Sequence, residues 1–116
     1  VIKIMTIQTF IEKYYLHDSL ITKITHNETS VNIEVEFCYW QQENYKEGDS
    51  EVGMIEISFS DISFFDSGSL SGEIDYYSIL EAKIDADILI INLLDDFNDE
   101  YYTISIKADK VAVKKI

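Results

Sequence analysis

The sequence predicts an α+β domain: one N-terminal helix followed by a curled antiparallel meander of six or seven strands, barrel-like in shape. Three observations predict it. The apolar period is helical up to Tyr15 and two thereafter. The connections between the period-two runs are mostly short and turn-like, which suits hairpins, whereas parallel strands need crossovers of a dozen residues or more. A chain of 116 residues, 47% hydrophobic and 13% aromatic, supplies one core, so 1–116 reads as a single domain.

The helix is expected over Thr6 to Tyr15, where Ile7, Phe10, Ile11 and Tyr14 form one apolar stripe and Thr6 can cap the start. So short a helix is marginal alone and must pack on something. Leu20 to His26 reads as the first strand, and Asn27-Glu28-Thr29 as a turn. Val31, Ile33, Val35, Phe37 and Tyr39 then alternate with Asn32, Glu34, Glu36, Cys38 and Trp40, the clearest half-buried strand in the chain. Gln41 to Glu51 is a polar loop. Ile55, Ile57 and Phe59 mark a third strand, Phe64 and Phe65 a less regular stretch, and Ser67 to Gly72 a flexible connection.

A fourth strand is expected from Ile79 to Ile84, turned by Asp85-Ala86-Asp87. Ile88 to Leu94 is apolar on both faces, which predicts a central strand covered on both sides, with the helix as one cover. Asp95 to Asp99 is a polar turn. Tyr102, Ile104, Ile106 and Ala108 alternate in the next strand, and Val111 to Val113 forms a last edge strand. Proline is absent, so edges are left to charges such as Glu34, Glu36, Lys114 and Lys115. In the pairs Tyr14-Tyr15, Tyr76-Tyr77 and Tyr101-Tyr102, one ring should face the core and the other solvent.

The formal net charge is −13, from 22 acidic side chains against nine lysines and no arginine. Spread over roughly 6,500 Å² of folded surface, that charge attracts basic proteins and repels nucleic acid and anionic membrane. No basic stripe or glycine-rich phosphate cradle is present, so nucleic acid is not an expected partner. No apolar run is long enough to span a membrane, and no secretory signal pattern is visible. One cysteine, Cys38, leaves no internal disulfide. These features predict a cytoplasmic protein, and the Ile-, Asn- and Lys-rich vocabulary suggests a bacterial one.

His17-Asp18-Ser19 has the residue types of a hydrolase triad, but consecutive side chains on a strand alternate in direction and no nucleophile-elbow glycines surround Ser19. The structural reading is that Asp18 or Ser19 caps the helix–strand junction while His17 bonds a backbone group. Cys38 reads as a packed thiol. Two histidines and one cysteine lack metal-ligand spacing, and Asp95 to Glu100 lacks the central glycine of an EF-hand loop. No catalytic residue, metal or cofactor is therefore expected.

The most suggestive segment runs from Tyr39 to Glu51. The single tryptophan, with Tyr45, is ringed by Glu43, Glu47, Asp49 and Glu51, which suits a basic partner. Asp95, Asp96 and Asp99 form a second candidate patch.

Leu16-His17-Asp18-Ser19, followed by a strand, a turn and a strand ending in Cys38-Tyr39-Trp40, resembles small bacterial β-rich proteins with His-Asp-Ser or His-Asp-Ala at the first strand. Some of those look like immunity proteins of polymorphic toxin systems. The tryptophan that precedes the motif in some of them is absent here. The resemblance implies a compact β-rich inhibitor without catalysis of its own. The expected function is thus a non-enzymatic acidic protein-binding domain, an immunity-type inhibitor of a basic bacterial toxin. The alternative is a small-molecule-binding β-barrel with its pocket under the helix. Weaker readings are an enzyme using His17 with an acidic partner, and a scaffold subunit.

Overall fold

The computed structural model describes residues 3–116. Among these residues are one short helix and seven antiparallel strands, and six of the strands close into a barrel. The elements are β1 (Ile4–Met5), α1 (Ile7–Lys13), β2 (Leu20–His26), β3 (Ser30–Cys38), β4 (Val52–Asp66), β5 (Gly72–Asp85), β6 (Ile88–Asp95) and β7 (Glu100–Lys115), with a 3₁₀ turn at Tyr39–Gln41.

Around the barrel the strands run β2-β3-β4-β7-β6-β5 and back to β2, while β1 lies outside the ring on β7. The chain meanders through β2, β3 and β4, crosses to β5, and meanders again through β6 and β7. The crossing follows from pairing: β4 is flanked by β3 and β7, so β5 must pair elsewhere, and it joins β2.

Alternation works as the sequence requires. Val31, Ile33, Val35 and Phe37 of β3 point inward, as do Ile55, Ile57 and Phe59 of β4. These meet Leu89, Ile91 and Leu93 of β6 and Ile104 and Ile106 of β7 in a single core. The Asn27 turn forms as expected, its Oδ1 accepting from the Thr29 and Ser30 N–H groups at 2.9 and 3.0 Å. Ala86 and Asp87 both take positive φ, the geometry of a tight turn between antiparallel strands.

Five expectations are corrected. The irregular stretch at Phe64 and Phe65 is a continuation of β4, bent by a register shift between Ile62 and Phe64 next to Asp61 at φ 54°. Such a bulge moves the apolar residues to the other face and hides the period. β5 likewise starts at Gly72, with Tyr76 at φ 56° breaking its alternation. Val111 to Val113 is not a separate edge strand but the end of β7, flanked by β4 and β1. Glu34 and Glu36 do not guard an edge, because β3 is paired on both sides; closure removes the need. Instead Lys23 lies between Glu34 and Glu73 at 3.8 and 3.9 Å.

The fifth correction concerns the helix. Thr6 Oγ1 caps it by accepting from Thr9 N–H at 3.1 Å. It packs toward β7 and β5 rather than covering β6, because β1 fixes its start beside Val111 and Ala112 of β7. Phe10 is buried in edge contact with Phe59 of β4, ring centroids 6.1 Å apart, and stacks on Tyr14 at 5.3 Å. The outer face of β6, with Ile88, Ile90, Asn92 and Leu94, is half-buried.

Candidate functional site

The His17-Asp18-Ser19 motif builds the junction that positions everything around it. The Nδ1–H of His17 donates to the Leu80 carbonyl at 2.7 Å, and its Nε2 lies 3.4 Å from Asp18 Oδ1. Asp18 takes φ 68°, a left-handed conformation that aspartate tolerates better than most residues. Its N–H donates to the Ile79 carbonyl at 3.0 Å. Ser19 is buried, and its Oγ accepts from the Cys38 N–H at 3.0 Å. The motif thereby ties the start of β2 to β5 and to the end of β3. The Ser19 hydroxyl is committed to the backbone instead of to His17.

Replacing Ser19 by Ala leaves the Cys38 N–H without its acceptor. The expected loss is about 1–3 kcal/mol in a urea titration; a change within about 0.5 kcal/mol would mean that the N–H finds another partner.

Cys38 itself is buried, and its thiol donates to the Asp18 carbonyl at 3.3 Å. Burial, ahead of the Asp18 and Glu36 charges, pushes its pKa up, so the thiol stays protonated and poorly nucleophilic. Among the described residues, no group of three or more His, Cys, Asp or Glu is placed to hold a metal ion.

From Cys38 the chain leaves β3 through the 3₁₀ turn rather than extending the strand to Trp40. Sequence reasoning passed over the residue that fixes this segment. Gln42 accepts from Tyr15 N–H at 2.9 Å through Oε1, and its Nε2 donates to the Tyr15 and Cys38 carbonyls at 2.8 and 2.9 Å. Gln41 donates to Asp18 Oδ2 at 2.9 Å. A Gln-Gln pair after a strand carries no distinctive sequence signal. It becomes meaningful only once the helix exit lies opposite.

Held this way, the segment carries the predicted residues together. Trp40 is 51% exposed. Glu43, Glu47, Asp49 and Glu51 are all exposed, with Lys46 among them. Tyr45 donates its hydroxyl to the Asp49 carbonyl at 3.1 Å, and Lys46 N–H donates to Asp49 Oδ2 at 3.1 Å, so the loop has a defined shape.

Between this segment and the end of α1 opens a cleft of about 1130 Å³, with Glu43, Tyr45 and Asp49 on one side and Glu12 and Tyr14 on the other. Phe37 and Tyr39 form its apolar part, their rings edge to face at 5.3 Å. Lys115, at the end of β7, places Nζ 5.3 Å from the Tyr39 ring centroid. The cleft lies beside the C-terminal end of the helix; the space beneath the helix is filled by Phe10 against Phe59.

The second predicted patch belongs to the β6–β7 turn and divides in two. Asp95 is buried, and its carboxylate accepts from the Phe97 and Asn98 N–H groups and from Asn98 Nδ2 at 2.8 Å. The Asn98 side-chain bond is the main cause that holds its pKa below the usual carboxylate range. Asp95 thus serves the turn, whereas Asp96 and Asp99 are exposed beside Phe97, itself 92% exposed. Nearby, Tyr77 and Tyr102 stack at 5.3 Å, and Tyr102 donates to Glu100 at 2.8 Å. That hydrogen bond pushes the Tyr102 phenol up to about 12. In all three tyrosine pairs the expected division holds: Tyr14, Tyr77 and Tyr102 are half-buried, while Tyr15, Tyr76 and Tyr101 are exposed.

No family model matches the chain, and comparison with curated proteins and with solved structures gives no match. Among the described residues, no helix is long and apolar enough to cross a membrane.

Proposed function

We propose that this chain is a non-enzymatic acidic binding domain, an immunity-type inhibitor of a basic bacterial protein toxin such as a nuclease, acting in the cytoplasm. The observation that carries the reading is the Trp40–Glu51 segment. It is a loop of defined shape that carries a half-exposed tryptophan and four exposed carboxylates and borders an aromatic cleft. Inhibition would come from occlusion: the carboxylates cover the basic substrate groove of the toxin, and the aromatic side chains hold the complex. Charge complementarity raises the association rate, by about 10- to 1,000-fold at low salt, and the buried aromatics lower the dissociation rate.

The test is capture from native bacterial lysate at low and high salt, with mass spectrometry of the retained proteins. A basic protein bound stoichiometrically, released by salt and lost with Glu43→Lys/Glu47→Lys, is the expected result, and Trp40→Ala should shorten the lifetime of that complex. Retention of nothing, or only of abundant basic proteins without saturation, removes the reading. In that case the cleft, at about 1130 Å³ large enough for a small ligand, favours the small-molecule-binding alternative.

A further inference from the structure

The barrel places a cation of its own where a partner's cation would go. The Tyr39 ring is held in position on two sides. Phe37 meets it edge to face at 5.3 Å, and Phe37 is in turn braced by Tyr14 at 5.8 Å. On the second side is Gly53 of β4, where a Cβ would fall 2.7 Å from Tyr39 Cε2, so the ring fits against the strand only because that residue is glycine. Lys115 Nζ sits over this ring at 5.3 Å. The Tyr39 phenol is neutral at ordinary pH, and burial pushes its pKa further up.

The cleft that this ring lines also carries Glu12, Glu43 and Asp49, with Lys13 as a further cation. A ring with a fixed face, a rim of carboxylates and a cation already in place together describe a seat for a positively charged side chain. Lys115 is a weak occupant. Its ammonium is strongly hydrated and exposed at the end of the last strand. A guanidinium is planar, less strongly hydrated, stacks flat on an aromatic face and offers parallel N–H donors to a carboxylate. The chain contains no arginine that could compete from within.

We propose that the cleft between α1 and the Trp40–Glu51 segment seats an arginine side chain of the basic partner, which displaces Lys115 from the Tyr39 ring. The proposal rests on the reading of the chain as a binder of a basic protein, and it names the side chain that this surface selects.

The test needs no partner protein. The isotope-labelled full chain is titrated with N-acetyl-arginine amide, with the lysine and citrulline counterparts as comparators, and followed by NMR at the Tyr39 ring and the Lys115 side chain. Saturable shifts are expected at both positions for arginine, weaker shifts for lysine and none for uncharged citrulline. Lys115→Ala removes the competitor at an exposed position and should tighten arginine binding about two- to fivefold. Tyr39→Leu should abolish it, while Tyr39→Phe, which keeps the ring, should retain it.

Equal responses to arginine and citrulline, a lysine response as strong as that of arginine, or unchanged or weaker binding in Lys115→Ala overturns the proposal. The two readings fail separately. Arginine binding in the cleft without capture of any basic protein sinks only the inhibitor reading. A captured partner with a cleft silent to arginine sinks only this one.

Discussion

Phe10→Ala should lower the stability of the protein by about 3–5 kcal/mol, a large share of the roughly 5–15 kcal/mol that a domain of this kind has in total. The argument starts from the helix. At seven residues α1 is far below the length at which a helix persists alone in water. What retains it is the burial of Ile7 and Phe10, of which Phe10 is fully enclosed between Tyr14 and the Phe59 ring. Truncation removes the ring that joins helix to barrel and leaves a cavity over β4. Urea unfolding measures the loss. Hydrogen exchange adds a local readout: the α1 amides should lose protection before those of β3 and β6, whose bonds lie within the closed sheet. A loss below about 1 kcal/mol would show that the helix contributes little and that the barrel stands without it.

Gly68→Ala is the second large effect. Gly68 lies in the crossing from β4 to β5 at φ +63°, and a Cβ there would fall 2.3 Å from the backbone carbonyl oxygen of Thr103 in β7. The left-handed conformation alone costs a non-glycine residue roughly 1–2 kcal/mol. The clash adds a further cost on the order of 1–3 kcal/mol, since a backbone paired in the sheet has to shift. Gly72→Ala is the matched comparison. Gly72 has φ +68°, but nothing lies within 4 Å of its Cβ position, so only the conformational cost applies. Thermal unfolding should therefore rank wild type above Gly72→Ala and Gly72→Ala above Gly68→Ala. Equal losses at the two glycines would mean that the crossing moves freely away from β7.

The parts of this fold legible in the sequence are those governed by neighbours in the chain. The helix stripe, its Thr6 cap, β2, the Asn27 turn and the inward set Val31 to Phe37 follow from local period and local hydrogen bonding. What was hidden lies at the bulges. At Asp61 and Tyr76 a positive-φ residue moves the apolar side chains from one face to the other. One long strand then reads as a short strand followed by irregular chain. The acidic, aromatic character of the Trp40–Glu51 segment was legible from composition. Its definition as one wall of a cleft was not, because that depends on Gln42 reaching the Tyr15 backbone, 27 positions away.

The sequence by itself determined that this chain forms a helix and antiparallel strands and that it is strongly acidic, and it favoured a structural junction over a catalytic role for His17-Asp18-Ser19. Only the tertiary structure decided the strand order, the closure of β6 on β7 and of β5 on β2, the position of the helix against β7, and the meeting of Tyr39, Lys115 and the acidic loop at one cleft. The physical reason is range. Helix period, strand alternation and turn chemistry are set by residues a few positions apart, whereas pairing and closure are set by which distant apolar faces can be buried together.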